Sequence, residues 1–201
     1  MGELSFTYGV MGSSKSAFAL MREYDYSQKG FKVLMLKPSI DTRERLSIIK
    51  SRIGIGKLCV TFNPDENLEN VVAAHRNTQI VIVDEVQFCT AKQIDQLKNL
   101  SLEKYTVLCY GLKTNFKGEF FEGSKRLFEV ADTFVELPSI CRCGEKATMN
   151  ARIVNGFVTT QGAEVQIGGD ESYEGLCFRC YRKYQHEKLP PRIPTGKPKD
   201  K

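Results

Sequence analysis

Short apolar runs alternate with segments of helical periodicity along the first two thirds of the chain. LSFTYGV (4–10) is rich in β-formers and leads into the small-residue turn MGSSKS. Apolar groups then recur at helical spacing over 16–28 (Phe18, Leu20, Met21, Tyr24), with Gly30 as the stop. KVLMLKP (32–38) is almost continuously apolar up to Pro38, the pattern of a strand covered on both faces. Residues 40–56, IDTRERLSIIKSRIGIG, are polar and basic with two glycines, and they read as a mobile loop. ENLENVVAAH predicts a helix over about 66–75. QIVIVDEVQF (79–88) is the strongest buried-strand signal and runs into two acids. Thr90 then caps the next helix, with Gln93 reaching back as a capping box. YTVLCYGL (105–112) is a further strand, followed by the polar loop KTNFKGEFFEGS, a helix in GSKRLFEVA and a strand in TFVEL.

A strand–helix alternation of this kind predicts an α/β domain over residues 1–138 with a mostly parallel sheet flanked by helices. After Pro138 the texture changes. Residues 139–187 are rich in cysteine and glycine, and Asn155-Gly156 between ARIV and FVTT is a hairpin turn. So small a unit needs a metal to help it fold. Residues 188–201 hold four of the seven prolines and almost nothing apolar, which predicts a disordered basic tail.

The first strand–helix turn, GVMGSSKS (9–16), resembles the P-loop pattern G-x-x-x-x-G-K-[ST] at Gly9, Lys15 and Ser16, with Ser14 where the second glycine normally stands. Backbone N–H groups of such a turn and the helix start behind it cradle phosphate oxygens. Lys15 would contact the outer phosphates and Ser16 would ligate Mg²⁺. Serine holds a similar turn if its φ stays negative. Asp84 and Glu85 emerge where ligands bind in parallel sheets, beyond the carboxyl end of a strand. Asp84 suits the acid that holds Mg²⁺, and Glu85 can accept a proton from an attacking hydroxyl. Together with the P-loop this makes a RecA-like nucleotide-binding fold the expectation.

Two close cysteine pairs, Cys141/Cys143 and Cys177/Cys180, have the spacing of a zinc ribbon. Four thiolates fill a tetrahedral Zn²⁺ and leave no position for catalysis, so the site is structural. Cys59, Cys89 and Cys109 lie singly in apolar contexts and read as core residues. No apolar run reaches the ~18 residues of a membrane span, and the N-terminus lacks the basic start and apolar stretch of a secretory signal. The expected location is the cytoplasm. Net charge is +5 in total, but residues 179–201 carry eight basic groups against two acids, so the body stands at −1. That counts against a nucleic-acid-binding body. His75 and His186 read as helix-surface residues with no assigned role.

The ordered set YGVMGSSKS, IDTR, SRIG, VDEVQF, LCYGLKTNFKGEFFEGS, ICRCG, VQIGGDESY and CFRC resembles the type II thymidine kinase family, closest to its enterobacterial-type branch, over about residues 4–185. The resemblance implies transfer of the ATP γ-phosphoryl group to the 5′-hydroxyl of thymidine or deoxyuridine. It assigns ATP and Mg²⁺ to Gly9, Val10, Met11, Gly12, Ser13, Ser14, Lys15, Ser16, Asp84, Glu85, Val86 and Gln87, with Asp41 and Arg43 near the transferring phosphate. Glu85 becomes the general base. Met11, Phe88, Phe116, Phe121, Val165, Ile167, Gly168 and Tyr173 are assigned to the nucleoside, with Phe88 and 116–121 as a flap and Tyr173 stacked on thymine. Residues 165–169 form a lasso that reads the base edge, and Cys141, Cys143, Cys177 and Cys180 hold a structural Zn²⁺. Feedback by dTTP and a homotetramer or homodimer are further implications. The competing reading is a P-loop ATPase or non-catalytic nucleotide sensor whose zinc ribbon contacts nucleic acid.

Overall fold

The computed structural model describes residues 2–40, 47–162 and 173–191. In chain order these form β1 (Glu3–Tyr8), α1 (Lys15–Gln28), β2 (Val33–Pro38), β3 (Ile48–Lys50), β4 (Gly56–Leu58), β5 (Val60–Phe62), α2 (Leu68–Ala73), β6 (Ile80–Val83), α3 (Ala91–Glu103), β7 (Thr106–Gly111), α4 (Glu122–Val130), β8 (Thr133–Glu136), β9 (Met149–Val154), β10 (Phe157–Thr159), β11 (Tyr173–Leu176) and α5 (Phe178–Lys183). Six strands make a parallel sheet in the order β5-β2-β6-β7-β1-β8. The period-two alternation of each strand divides its side chains between two helical layers. Leu34, Leu36, Val81, Val83, Val107 and Cys109 face α2, α3 and α4 through Leu68, Ile94, Leu97 and Leu127. Met35, Ile80, Ile82 and Tyr110 face the opposite way, against Ala19 and Leu20 of α1. This double coverage explains why the strands read as unbroken apolar runs.

The α3 capping box is present, with Thr90 and Gln93 exchanging side-chain-to-backbone hydrogen bonds of 3.2 Å each. Cys89 and Cys109 lie in the core, and Cys59 is half-buried beside it. Residues 47–58 depart from the expected loop. β3 and β4 pair as an antiparallel hairpin, because Ile49 is 1% exposed against α1 and the sheet. Glycine and charge obscured the hairpin in the sequence, yet Gly54 serves its turn with φ +93°, and Lys57 forms an ion pair with the buried Glu23 of α1.

β9, β10 and β11 form a second, antiparallel sheet. Its hairpin turns at Asn155 and Gly156, both with positive φ as a two-residue turn of this kind requires. At the start of the segment from residue 188, Leu189 N–H donates to Gly156 O at 2.7 Å, and Pro190 O accepts from Arg142 at 2.7 Å. The rest of that segment lies outside the described residues.

The smaller sheet is keyed into the larger unit by specific contacts. Val10, in the turn after β1, packs among Cys141, Ala151, Leu176 and Tyr181. Asn150, 3% exposed on β9, accepts from Met11 N–H at 2.7 Å and donates to Thr114 O at 2.7 Å. The Tyr181 hydroxyl donates to Phe116 O at 2.6 Å. Asn150→Leu would leave the half-buried Met11 N–H and the buried Thr114 carbonyl unpaired, at up to about 1–3 kcal/mol each. Thermal unfolding is expected to shift down by about 5–10 °C; an unchanged midpoint would show that the two groups find other partners.

Ser14 carries a second testable strain. It adopts φ 64°, ψ 24° and makes no capping bond with its side chain, so the condition of a negative φ is not met. The turn geometry is the one glycine accommodates freely, and the serine Cβ costs about 1–2 kcal/mol there. After the greater chain entropy of glycine is counted, Ser14→Gly is expected to raise the unfolding midpoint by about 1–3 °C. A lower midpoint would contradict the strain argument.

Candidate functional site

A cleft of about 180 Å³ opens at the carboxyl ends of β1, β2 and β6, and its walls include Met11, Gly12, Ser14, Lys15, Ser16, Lys37, Arg52, Asp84 and Glu85. Parallel sheets place ligands at this end of their strands. One strand, β7, separates the P-loop strand from the acidic strand.

The P-loop wraps tightly. A Cβ at Gly9 would stand 2.4 Å from Ser13 Oγ and 2.8 Å from Leu137 O, so the backbone tolerates no side chain there. Gly12 takes φ +84°. Ser13 N–H donates to Val10 O at 3.1 Å, closing the turn. The Lys15 ammonium, 8% exposed, donates to Val10 O at 2.9 Å, Gly9 O at 3.3 Å and Ser13 Oγ at 3.4 Å. It is therefore folded over its own loop at the mouth of the cleft. Met11 lines the cleft, but its amide is taken by Asn150.

Asp84 is 4% exposed. Burial, with the Glu85 charge beside it, pushes its carboxyl up to about 7, against hydrogen bonds from the Ser16 hydroxyl and Glu85 amide and the charge of Lys15. A hydroxyl and a carboxylate so joined at a helix start fit the hard, oxygen-seeking Mg²⁺. Glu85 diverges from Asp84 because the chain turns sharply: its φ is 53°, ψ 37°, entering a short 3₁₀ turn over Val86–Phe88. Two non-glycine residues in the left-handed region, Ser14 and Glu85, thus face one cleft, the clustering of strain that marks functional sites.

Gln87 stands behind the cleft rather than in it. It is 2% exposed, donates to Glu85 Oε2 at 2.6 Å and accepts from Leu112 N–H at 3.0 Å. It fixes the Glu85 carboxylate to the end of β7. Val86 is fully buried in the main core. Lys37 and the hairpin residues Ser51 and Arg52 are cleft residues that the sequence reading missed. A lysine closing an otherwise apolar strand was the available signal for Lys37; for the hairpin it was the SRIG segment, which carried part of the resemblance but no assigned role.

The four cysteine sulfurs of 141, 143, 177 and 180 all lie within 4.8 Å of one another, and Cys143 and Cys177 are 3.6 Å apart. Tetrahedral Zn–S bonds of ~2.3 Å place sulfurs about 3.8 Å apart, so the donor set fits zinc. Gly144 N–H donates to Cys141 O and Cys141 N–H to Glu145 O, both at 2.8 Å, forming a tight knuckle around the short C-x-C pair. The Glu145 amide draws the Cys143 thiol down to about 7, whereas burial pushes Cys141 and Cys180 up. Arg142, between the first two cysteines, grips Glu174 of β11 with two bonds of 2.8 and 2.6 Å.

The aromatic assignments separate. Phe88 and Phe121 meet edge to face at 5.8 Å beside the 3₁₀ turn. Phe116 is 1% exposed beneath the Arg152 guanidinium, which lies 5.2 Å from its ring centre. Tyr173 opens β11 opposite Arg152. Asp41, Arg43, Val165, Ile167 and Gly168 lie outside the described residues.

The Thymidine kinase family profile matches residues 2–181. A thymidine kinase of Rhodopirellula baltica is 40% identical over 201 residues, covering 96% of this chain and 94% of its own. One from Shewanella oneidensis is 41% identical, covering 92% and 98%. One from Enterobacteria phage T4 is 39% identical, covering 93% and 97%. With the P-loop, the strand-end acids and the cysteine cluster in one fold, and with relatives this similar along their whole length, the chain belongs to the thymidine kinase family.

Proposed function

We propose that the protein transfers the γ-phosphoryl group of ATP to the 5′-hydroxyl of thymidine, and of deoxyuridine, giving the 5′-monophosphate. The observation that carries this is Glu85 held by Gln87 at the rim of a cleft whose other wall is a P-loop. Phosphoryl transfer asks mainly for positioning and charge neutralisation. The backbone amides of the turn after Gly9 and the start of α1 receive the phosphates. Lys15 exchanges its loop carbonyls for phosphate oxygens. Ser16 and Asp84 would hold Mg²⁺, which when bound neutralises charge on the triphosphate. Glu85 accepts the proton of the 5′-hydroxyl as its oxygen bonds to the γ-phosphorus and the β,γ-bridging oxygen leaves with ADP. Asp41 and Arg43 are assigned beside the transferring phosphate. Tyr173, Phe88, Phe121 and the 165–169 segment are assigned to the nucleoside, and Phe116 supports that side of the site from beneath.

Cys141, Cys143, Cys177 and Cys180 would hold a structural Zn²⁺. Its place in the mechanism is mechanical. Cys177 leads directly from β11, and Tyr181 of α5 grips Phe116, so the metal's order reaches the nucleoside side. dTTP as a feedback inhibitor, a homodimer or homotetramer and a cytoplasmic location complete the reading.

Glu85→Gln is expected to lower kcat at least about 100-fold with little change in thymidine Kd, because the amide keeps its shape and loses the base. A near-wild-type kcat would remove Glu85 from the mechanism. Stripping the metal with a chelator is expected to abolish thymidine binding while a fluorescent ATP analogue still binds. Thymidine binding that survives full zinc loss would contradict the mechanical role.

A further inference from the structure

The β3–β4 hairpin brings a guanidinium to the cleft that neither the P-loop nor the strand ends supply. Its tip is firmly built. Ser51 N–H donates to Ile55 O at 2.8 Å, Ser51 Oγ donates to the same oxygen at 3.2 Å, and Gly54 N–H returns to Ser51 O at 3.1 Å. At its base Ile49 is buried against α1 and the sheet, Cys59 N–H donates to Ser47 O at 2.9 Å, and Lys57 pairs with Glu23. From this tip Arg52, itself exposed, reaches over the P-loop: Nη1 lies 3.8 Å from the point a Cβ on Gly12 would occupy. Gly12 is the residue whose φ of +84° and missing side chain leave that space open.

We propose that Arg52 is a catalytic residue, an arginine finger supplied in cis by the hairpin, that binds non-bridging oxygens of the ATP phosphates in the transition state. The inference rests on the kinase reading above. Arg52 shares the cleft with Lys15, Lys37, Asp84 and Glu85. Lys15 approaches from the start of α1 and Lys37 from the end of β2. Each offers a compact ammonium, whereas Arg52 offers a planar fork that matches two phosphate oxygens at once. As the γ-phosphorus passes from the bridging oxygen to the 5′-oxygen, negative charge spreads over the oxygens around it. A fixed guanidinium stabilises that charge and forms no covalent bond. The proton still goes to Glu85, and ADP still leaves.

The test compares the wild-type protein with Arg52→Ala and Arg52→Lys. It measures kcat and KM for ATP and thymidine, the Kd of a non-hydrolysable ATP analogue, and the unfolding midpoint. Arg52→Ala is expected to lose about 10³-fold in kcat, within the range of known arginine fingers. Arg52→Lys is expected to recover less than a tenth of the loss, because an ammonium lacks the fork. Added guanidinium ion is expected to restore part of the Ala variant's rate. The analogue's Kd is expected to stay within about threefold and the midpoint to stay unchanged, since an exposed side chain on a hairpin tip contributes little to the fold. Active wild-type enzyme beside an Ala variant within threefold of its kcat, or a loss confined to KM for ATP, would overturn the role of Arg52 alone. Wild-type protein with no nucleoside-dependent turnover would overturn the kinase reading and this inference with it.

Discussion

The structure turns on a carboxylate that burial makes expensive to ionise. Asp84 sits at the carboxyl end of β6 beneath the P-loop, bonded to Ser16, close to Lys15 and next to a second acid in the chain. Its proton is held up to about pH 7 in the folded protein, well above the ordinary carboxylate range. Between the ordinary carboxylate value of 3.8 and about pH 7 the folded chain therefore keeps a proton that the unfolded chain gives up, so this contribution to stability is full below that window and lost progressively as pH rises to about 7. A cation beside Asp84 removes the penalty. The same placement fixes the other parts: β1 must end across the single intervening strand β7 to deliver Ser16 and Lys15, and Glu85 must swing aside through its left-handed turn.

The smaller sheet supplies the second constraint. Catalytic loops are surface segments, and their precision comes from what braces them. Here the brace reaches two of them. Asn150 holds Met11 of the P-loop and Thr114 of the loop after β7, Tyr181 holds Phe116, and Val10 is buried among the cysteines. Arg142 ties β11 to the knuckle by a bidentate ion pair that needs no metal. The cysteine cluster and the ion pair thus both tie the knuckle to the strand that begins at Tyr173 and leads into Cys177.

Much of this was legible in the sequence because local and global signals agree. Runs such as IVIV and VLML are apolar at every position because helices cover both faces of the sheet, and the Thr90 capping box is a purely local device. Cysteine spacing pointed to one cluster, and the sulfurs meet. The rest depended on long-range packing. The hairpin at 48–58 exists because one isoleucine, Ile49, finds α1, and no periodicity in so short a segment announces that. β5 and β11 escaped for the same reason: they are short strands defined by their partners. Gln87 belonged to the nucleotide by resemblance, but its buried amide serves Glu85 and the end of β7. A serine at position 14 says nothing of its φ, and the turn imposes a positive one.

The activity proposed for this cleft is phosphorylation of one class of nucleoside. The most direct measurement is ADP release from ATP with Mg²⁺ in the presence of thymidine, deoxyuridine, deoxycytidine, deoxyadenosine or deoxyguanosine in turn. Turnover confined to thymidine and deoxyuridine is the predicted result. ATP binding without turnover on any nucleoside would contradict the account.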